Sequence, residues 1–237
     1  MGTLPYWDKD LMVTELKRII DLGVKGITLP DRPERLSEGY LGSDGKISPF
    51  WEEVFDICNE SGTPLNFHLN ASLDAESAMW DNLGFDQKLP ISALLHHIGC
   101  AATMSNFMVS GILDRFSKLK IGLIESGMGW VPFWLEALEH QLSEFRTAEN
   151  RGLKMRPTEY FKQHFWVSYW FETHGPTKLL EEVGVDRVMF ETDYPHPTSL
   201  YPGVQDKLVA TLGQYDRATQ KRVLQDNASE LYNLDFG

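Results

Sequence analysis

The sequence predicts an α/β fold with a parallel sheet, of the (β/α)-barrel kind. Three observations carry the prediction. Short apolar runs alternate with amphipathic helical segments and no hairpin turn joins two runs, so successive strands should lie parallel with helices between them. No glycine-rich phosphate turn follows a strand, which disfavours a dinucleotide-binding sheet. His68, Glu125 and Asp193 each close an apolar run, and the C-terminal strand ends are where a (β/α) barrel gathers its chemistry.

The elements follow in order. Leu11, Leu16, Ile19, Ile20 and Leu22 recur at helical spacing, and Gly23 ends that segment as a C-cap would. Lys25 to Leu29 reads as a buried strand stopped by Pro30. Ser48-Pro49 opens a helix, with serine as cap and proline in the first turn, that runs to Ser61-Gly62. Pro64 to Leu69 is a second strand ending in polar Asn70, followed by helical patterns around Ile91 to Cys100 and Asn106 to Phe116. Lys120 to Ile124 is the third strand, and Trp130 to Phe145 a long amphipathic helix. His164 to Ser168 is the fourth strand and Lys178 to Val183 a helix. Arg187 to Phe190 is the fifth strand, and Arg217 to Leu234 is helical.

Bulk properties set the limits. The chain of 237 residues reads as one domain, 1–237, and 42% hydrophobic with 12% aromatic residues is ample for a packed core. A net charge of −12 opposes attraction to nucleic acid or to anionic lipid, and the basic residues never build a stripe. Neither partner is expected. Two cysteines cannot form a disulfide framework, no signal peptide is visible, and no apolar run approaches membrane-spanning length. A cytoplasmic setting is the expectation.

Asn66, His68 and Asn70 alternate along one strand and should share a face. A strand-end imidazole is a natural ligand for zinc or another divalent ion, and equally a hydrogen-bonded structural residue. Asp193 lies in the polar cluster Glu191-Thr192-Asp193-Tyr194-Pro195-His196-Pro197. Its carboxylate can ligate a metal and accept a proton, or simply cap the turn before the prolines. His196 is a candidate for touching substrate. Glu125 meets a glycine-bearing turn, Ser126 to Gly129, and is a candidate acid–base residue. Trp130 reads with Phe133 and Trp134 as core, and beside that turn it is also a candidate substrate contact. His96 and His97, adjacent on a helix, cannot share one face and make no joint metal site.

Several stretches carry a likeness to a known family. They include Pro64 to His68, Leu113 to Phe116 with Lys118 to Pro132, and Gly184-Val185-Asp186-Arg187-Val188-Met189-Phe190-Glu191-Thr192-Asp193-Tyr194-Pro195-His196. Here the chain resembles the amidohydrolase-related proteins, which include aminocarboxymuconate-semialdehyde decarboxylase. The resemblance implies a TIM-like barrel of the metal-dependent hydrolase type, with one divalent metal, commonly zinc, at the strand ends. It implies ligand roles for His68 and Asp193, and it puts Glu125 where many decarboxylases of the family carry an acid–base histidine. The family's first-strand His-x-His pair has no counterpart in the 237 residues, and five strands can be counted, matching about strands 4 to 8. With two ligands alone a zinc would be held weakly.

The expected function is therefore hydrolysis or decarboxylation of a small carboxylated, aromatic or unsaturated compound, with Asp193 as ligand and proton acceptor and Glu125 as acid–base partner. The alternative is a non-catalytic partial barrel that has lost metal chemistry or is completed by another chain. Uncovered strand edges would favour such association, including with a second copy. A glycosidase-like pairing of Glu125 with Asp193 is a third reading.

Overall fold

The structure is a computed structural model that describes residues 1–68, 79–146, 149 and 152–236. Five strands form one parallel sheet: β1 (Ile27–Thr28), β2 (Leu65–His68), β3 (Ile121–Ile124), β4 (Phe165–Tyr169) and β5 (Val188–Phe190). Their spatial order is their chain order, so the sheet has no switch point. Each strand joins the same edge as its predecessor through a helical crossover. Because such crossovers are right-handed, the sheet coils one way, as barrel staves do. Phe67, Leu123, Val167 and Val188 face one another across four strands.

The helices are set by their caps and their apolar faces. Asp8 caps α1 (Lys9–Asp21) by accepting the Leu11 N–H, and α1 buries Met12, Val13, Leu16 and Ile19. Ser48 caps α2 (Pro49–Ser61) as expected, accepting the Phe50 N–H at 3.2 Å. Its inner face is Trp51, Val54, Phe55 and Cys58, each large side chain worth about 1.5–3 kcal/mol when fully buried. Cys58 is a packing residue: burial pushes its thiol up to about 12. At the sheet edge Gly2 runs beside β1, donating to the Gly26 carbonyl and accepting the Thr28 N–H.

Two boundaries differ from expectation. The two helices expected over Ile91 to Phe116 are one long helix, α3 (Phe85–Val109), followed by the single turn α4 (Ile112–Arg115). Nothing between Cys100 and Asn106 breaks a helix, whereas Gly111, at φ 80°, does. His164, expected in the fourth strand, ends α6 (Pro157–His164); α5 (Val131–Glu144) precedes it. Its Nδ1 lies 2.8 Å from the Leu119 carbonyl, a fully buried tie at the base of the sheet. No helix among the described residues is long and apolar enough to cross a membrane.

Candidate metal and acid–base site

The strands deliver their polar residues to one mouth. β3 ends at Ile124, and Glu125 turns immediately into the left-handed region at φ 59°. Asp193, three residues beyond β5, does the same at φ 57°. Left-handed backbone at a residue other than glycine costs about 1–3 kcal/mol and persists only where neighbours impose it. Both acids have such neighbours. The Glu125 N–H donates to Ser168 Oγ on β4 at 2.8 Å, and Gly127 N–H donates to the Ser168 carbonyl at 2.9 Å. Asp193 Oδ2 accepts from Thr198 Oγ1 at 3.1 Å and lies 3.0 Å from His196 Nδ1.

Glu125, Asp193 and His196 present ligand-capable atoms within 4.8 Å of one another, the one such group of three or more among the described residues. Glu125 is only 7% exposed, whereas His196 is exposed. His68 stands outside this trio but reaches it: its Nε2 lies 2.6 Å from Glu125 Oε2. His68 and Asp193, expected to share an ion, thus meet through Glu125. Asn66, expected on the same face as His68, is buried and bonded to the Ile27 and Pro64 carbonyls and to Tyr232. Asn70 lies outside the described residues. Trp130 packs its half-buried ring edge-on against Trp134 and donates its indole N–H to the Ser126 carbonyl at 2.9 Å. Its polar atom is spent on the turn that carries Glu125.

Four further residues, none of them a candidate from sequence, support the site. Glu191 accepts from Ser168 Oγ at 2.9 Å, so one hydroxyl ties the Glu125 backbone to the Glu191 carboxylate. Burial, reinforced by the charges of Glu125 and Asp193, pushes Glu191 up to about 7. Glu172, just past β4, accepts the Met128 and Gly129 N–H groups, each at 2.8 Å. His97 Nδ1 lies 3.0 Å from the Ser126 carbonyl, with its ring against Trp170 and Phe171. Glu191 was within reach of the strand-end signal, since it follows Phe190 directly. Glu172, Ser168 and His97 act through chain-distant partners, for which a single sequence holds no signal.

Burial also raises Glu125 above the usual carboxylate range, with His68 opposing and the Asp193 charge adding to the rise. Three acids crowded into a half-buried site repel one another, and a divalent cation would relieve that repulsion. Oxygen donors joined by an imidazole suit manganese, zinc or a similar ion. The donor set fits the metal that the resemblance implies.

A parallel sheet that coils in chain order and gathers acids and imidazoles at its strand ends defines a protein of the (β/α)-barrel class. The chain belongs to the amidohydrolase family: a family model described as Amidohydrolase matches residues 2–234. It is 26% identical over 207 residues to a gamma-resorcylate decarboxylase of Polaromonas sp. (strain JS666), covering 82% of this chain. The chain spans 59% of that relative's length. The 5-carboxyvanillate decarboxylase of Sphingomonas paucimobilis superposes with a TM-score of 0.75 at 22% identity, over 99% of this chain and 66% of that one. A dihydroxybenzoic acid decarboxylase from Polaromonas sp. JS666, solved with bound manganese and the inhibitor 2-nitroresorcinol, gives 0.69 at 22% identity, over 99% and 68%. These likenesses establish an α/β, TIM-barrel-like fold.

Proposed function

We propose that this chain carries the catalytic mouth of a metal-assisted carboxy-lyase that acts on a small aromatic carboxylate. The observation that carries the reading is the convergence of Glu125, Asp193 and His196 within 4.8 Å, with His68 at 2.6 Å from Glu125. Similarity to decarboxylases of dihydroxybenzoate and carboxyvanillate supports the substrate class and favours carbon–carbon cleavage over hydrolysis.

Asp193, with Glu125 and His196, would hold the divalent ion. When bound, that ion supplies positive charge that orients an anionic substrate and stabilises charge developing on it. The chain's own residues handle the proton. Loss of CO2 breaks a carbon–carbon bond and leaves its electron pair on the ring carbon, which must then take up a proton. Glu125 Oε2 and His68 Nε2 lie 2.6 Å apart, so a proton can pass between this pair and the reacting carbon. The exposed His68 is the member that faces incoming substrate or water. The reaction is redox-neutral and calls for no other co-reactant.

Manganese, present in the Polaromonas structure, is the ion to test first, ahead of the zinc expected from sequence. A cytoplasmic setting stays the proposal, supported by a cysteine count of two, too few for a disulfide framework. The test is manganese uptake by calorimetry, followed by release of CO2 from dihydroxybenzoates and 5-carboxyvanillate. Uptake that disappears in Asp193→Ala is the expected result. A wild-type chain that takes up neither manganese nor zinc would leave the non-catalytic alternative standing.

A further inference from the structure

The carboxylate of Glu172 occupies an unusual position. Oε2 accepts the Met128 N–H and Oε1 the Gly129 N–H, at the start of the turn that leads into α5. Three glycines wrap it. A Cβ on Gly129 would stand 2.9 Å from Oε1, one on Gly175 would stand 3.1 Å from Oε1, and one on Gly127 would stand 3.2 Å from Oε2. Gly127 is itself left-handed at φ 72°. The segment Ser126 to Gly129 is therefore cut to fit this one side chain, which comes from the loop after β4 rather than from the strand that leads to Glu125. Ser168, also on β4, grips the same turn from its other side through the Glu125 and Gly127 amides.

We infer that Glu172 is a positioning residue: its carboxylate clamps the Ser126–Gly129 turn and so fixes where Glu125 points. The inference rests on the proposed metal site and deepens it. Glu172 touches neither the three candidate donors nor His68, and it acts only through the turn. Its two oxygens satisfy two amide donors just ahead of the α5 N-terminus. Without it, two amides lose their acceptor and the left-handed turn loses one of its holds, leaving Ser168 to grip it from β4. Glu125 would then sample positions away from Asp193 and His196. Outer partners of this kind typically change metal affinity by about 10–100-fold when removed.

The experiment uses the full chain and manganese as probe. Glu172→Ala should weaken manganese binding by about 10–100-fold in calorimetry, and Glu172→Gln, which keeps one acceptor oxygen, by less. The Met128 and Gly129 amides, protected from hydrogen exchange in wild type, should exchange faster in both variants. Asn227→Ala is the stability control, because Asn227 ties main chain at the opposite end of β5. It should lower the unfolding midpoint and leave manganese affinity unchanged, which separates positioning from general destabilisation. The inference is overturned if both Glu172 variants bind manganese within twofold of wild type, or if their affinity loss merely matches that of Asn227→Ala. Should wild type bind no manganese, the functional reading fails instead and amide exchange alone judges the clamp. Unprotected Met128 and Gly129 amides in wild type would then refute it.

Discussion

At the N-terminal ends of the strands Asn66, His164 and Asn227 each hold main-chain carbonyls, while at the C-terminal ends Glu125, Glu191 and Asp193 crowd one another. Both regions bury polar groups in one sheet, yet they spend that polarity differently. Asn227 donates to the carbonyls of Val185 and Val188, each at 2.7 Å, and the Arg187 guanidinium lies 4.3 Å from the Trp166 ring centroid. These bonds answer one polar atom of each side chain, while His164 Nε2, Trp166 Nε1 and Asn227 Oδ1 stay buried without a hydrogen-bond partner. At the other end the acids share partners, two adopt left-handed backbone, and burial raises Glu125 and Glu191. Polar side chains are structural where they hold main-chain carbonyls and chemical where acids crowd other ionisable groups.

The sharpest way to break this comparison is to delete the central donor. Asp193→Ala should reduce manganese affinity by at least about 100-fold, since a ligand removed costs at least as much as an outer partner. The fold should survive, as Asp193 lies in a loop beyond β5. A variant that keeps wild-type affinity by calorimetry would move the site elsewhere.

Next in size is a pH effect at the same end. Glu191 binds its proton more tightly in the folded chain, at about 7, than in the unfolded one, at 4.5. Its contribution is thus fully present below about pH 4.5 and is lost as pH rises to about 7, a change of up to about 3 kcal/mol. Urea unfolding of the metal-free protein should show this decline. Glu191→Gln should flatten it, and an unchanged slope would mean that the acids do not crowd as described. At the opposite end, Asn227→Ala strands two buried carbonyls and should cost about 2 kcal/mol of unfolding free energy with no change in metal affinity.

How much of this was legible depends on whether a feature is local. Strand order, the Ser48 cap and the acids ending β3 and β5 follow from neighbours in sequence. His68 was legible as a strand-end imidazole, but its partner Glu125 lies 57 positions away and is fixed by strand register, which spacing does not encode. Asn66 shows what alternation leaves open. It shares a strand with His68, and its partners, Tyr232 and two carbonyls, come from elsewhere in the chain or from the main chain. Ser168, read only as the end of the fourth strand, is the hydroxyl joining two acids. His97 was set aside because His96 beside it could not share its face. That geometry holds, but His97 alone still reaches the Ser126 turn.

The smallest effect expected has the opposite sign in pH and comes from the other end of the sheet. Burial holds His164 below its ordinary 6.5, against the pull of its bond to the Leu119 carbonyl. The folded chain therefore binds this proton less tightly than the unfolded one. Stability from His164 is present above pH 6.5 and is lost as pH falls through the lowered folded value. His164→Gln, which keeps a donor for the Leu119 carbonyl, should remove the acid-side loss and leave the Glu191-driven decline untouched. Loss of both trends in this one variant would mean that the two ends of the sheet are coupled. Loss of the acid-side trend alone would show that the structural and chemical ends titrate independently.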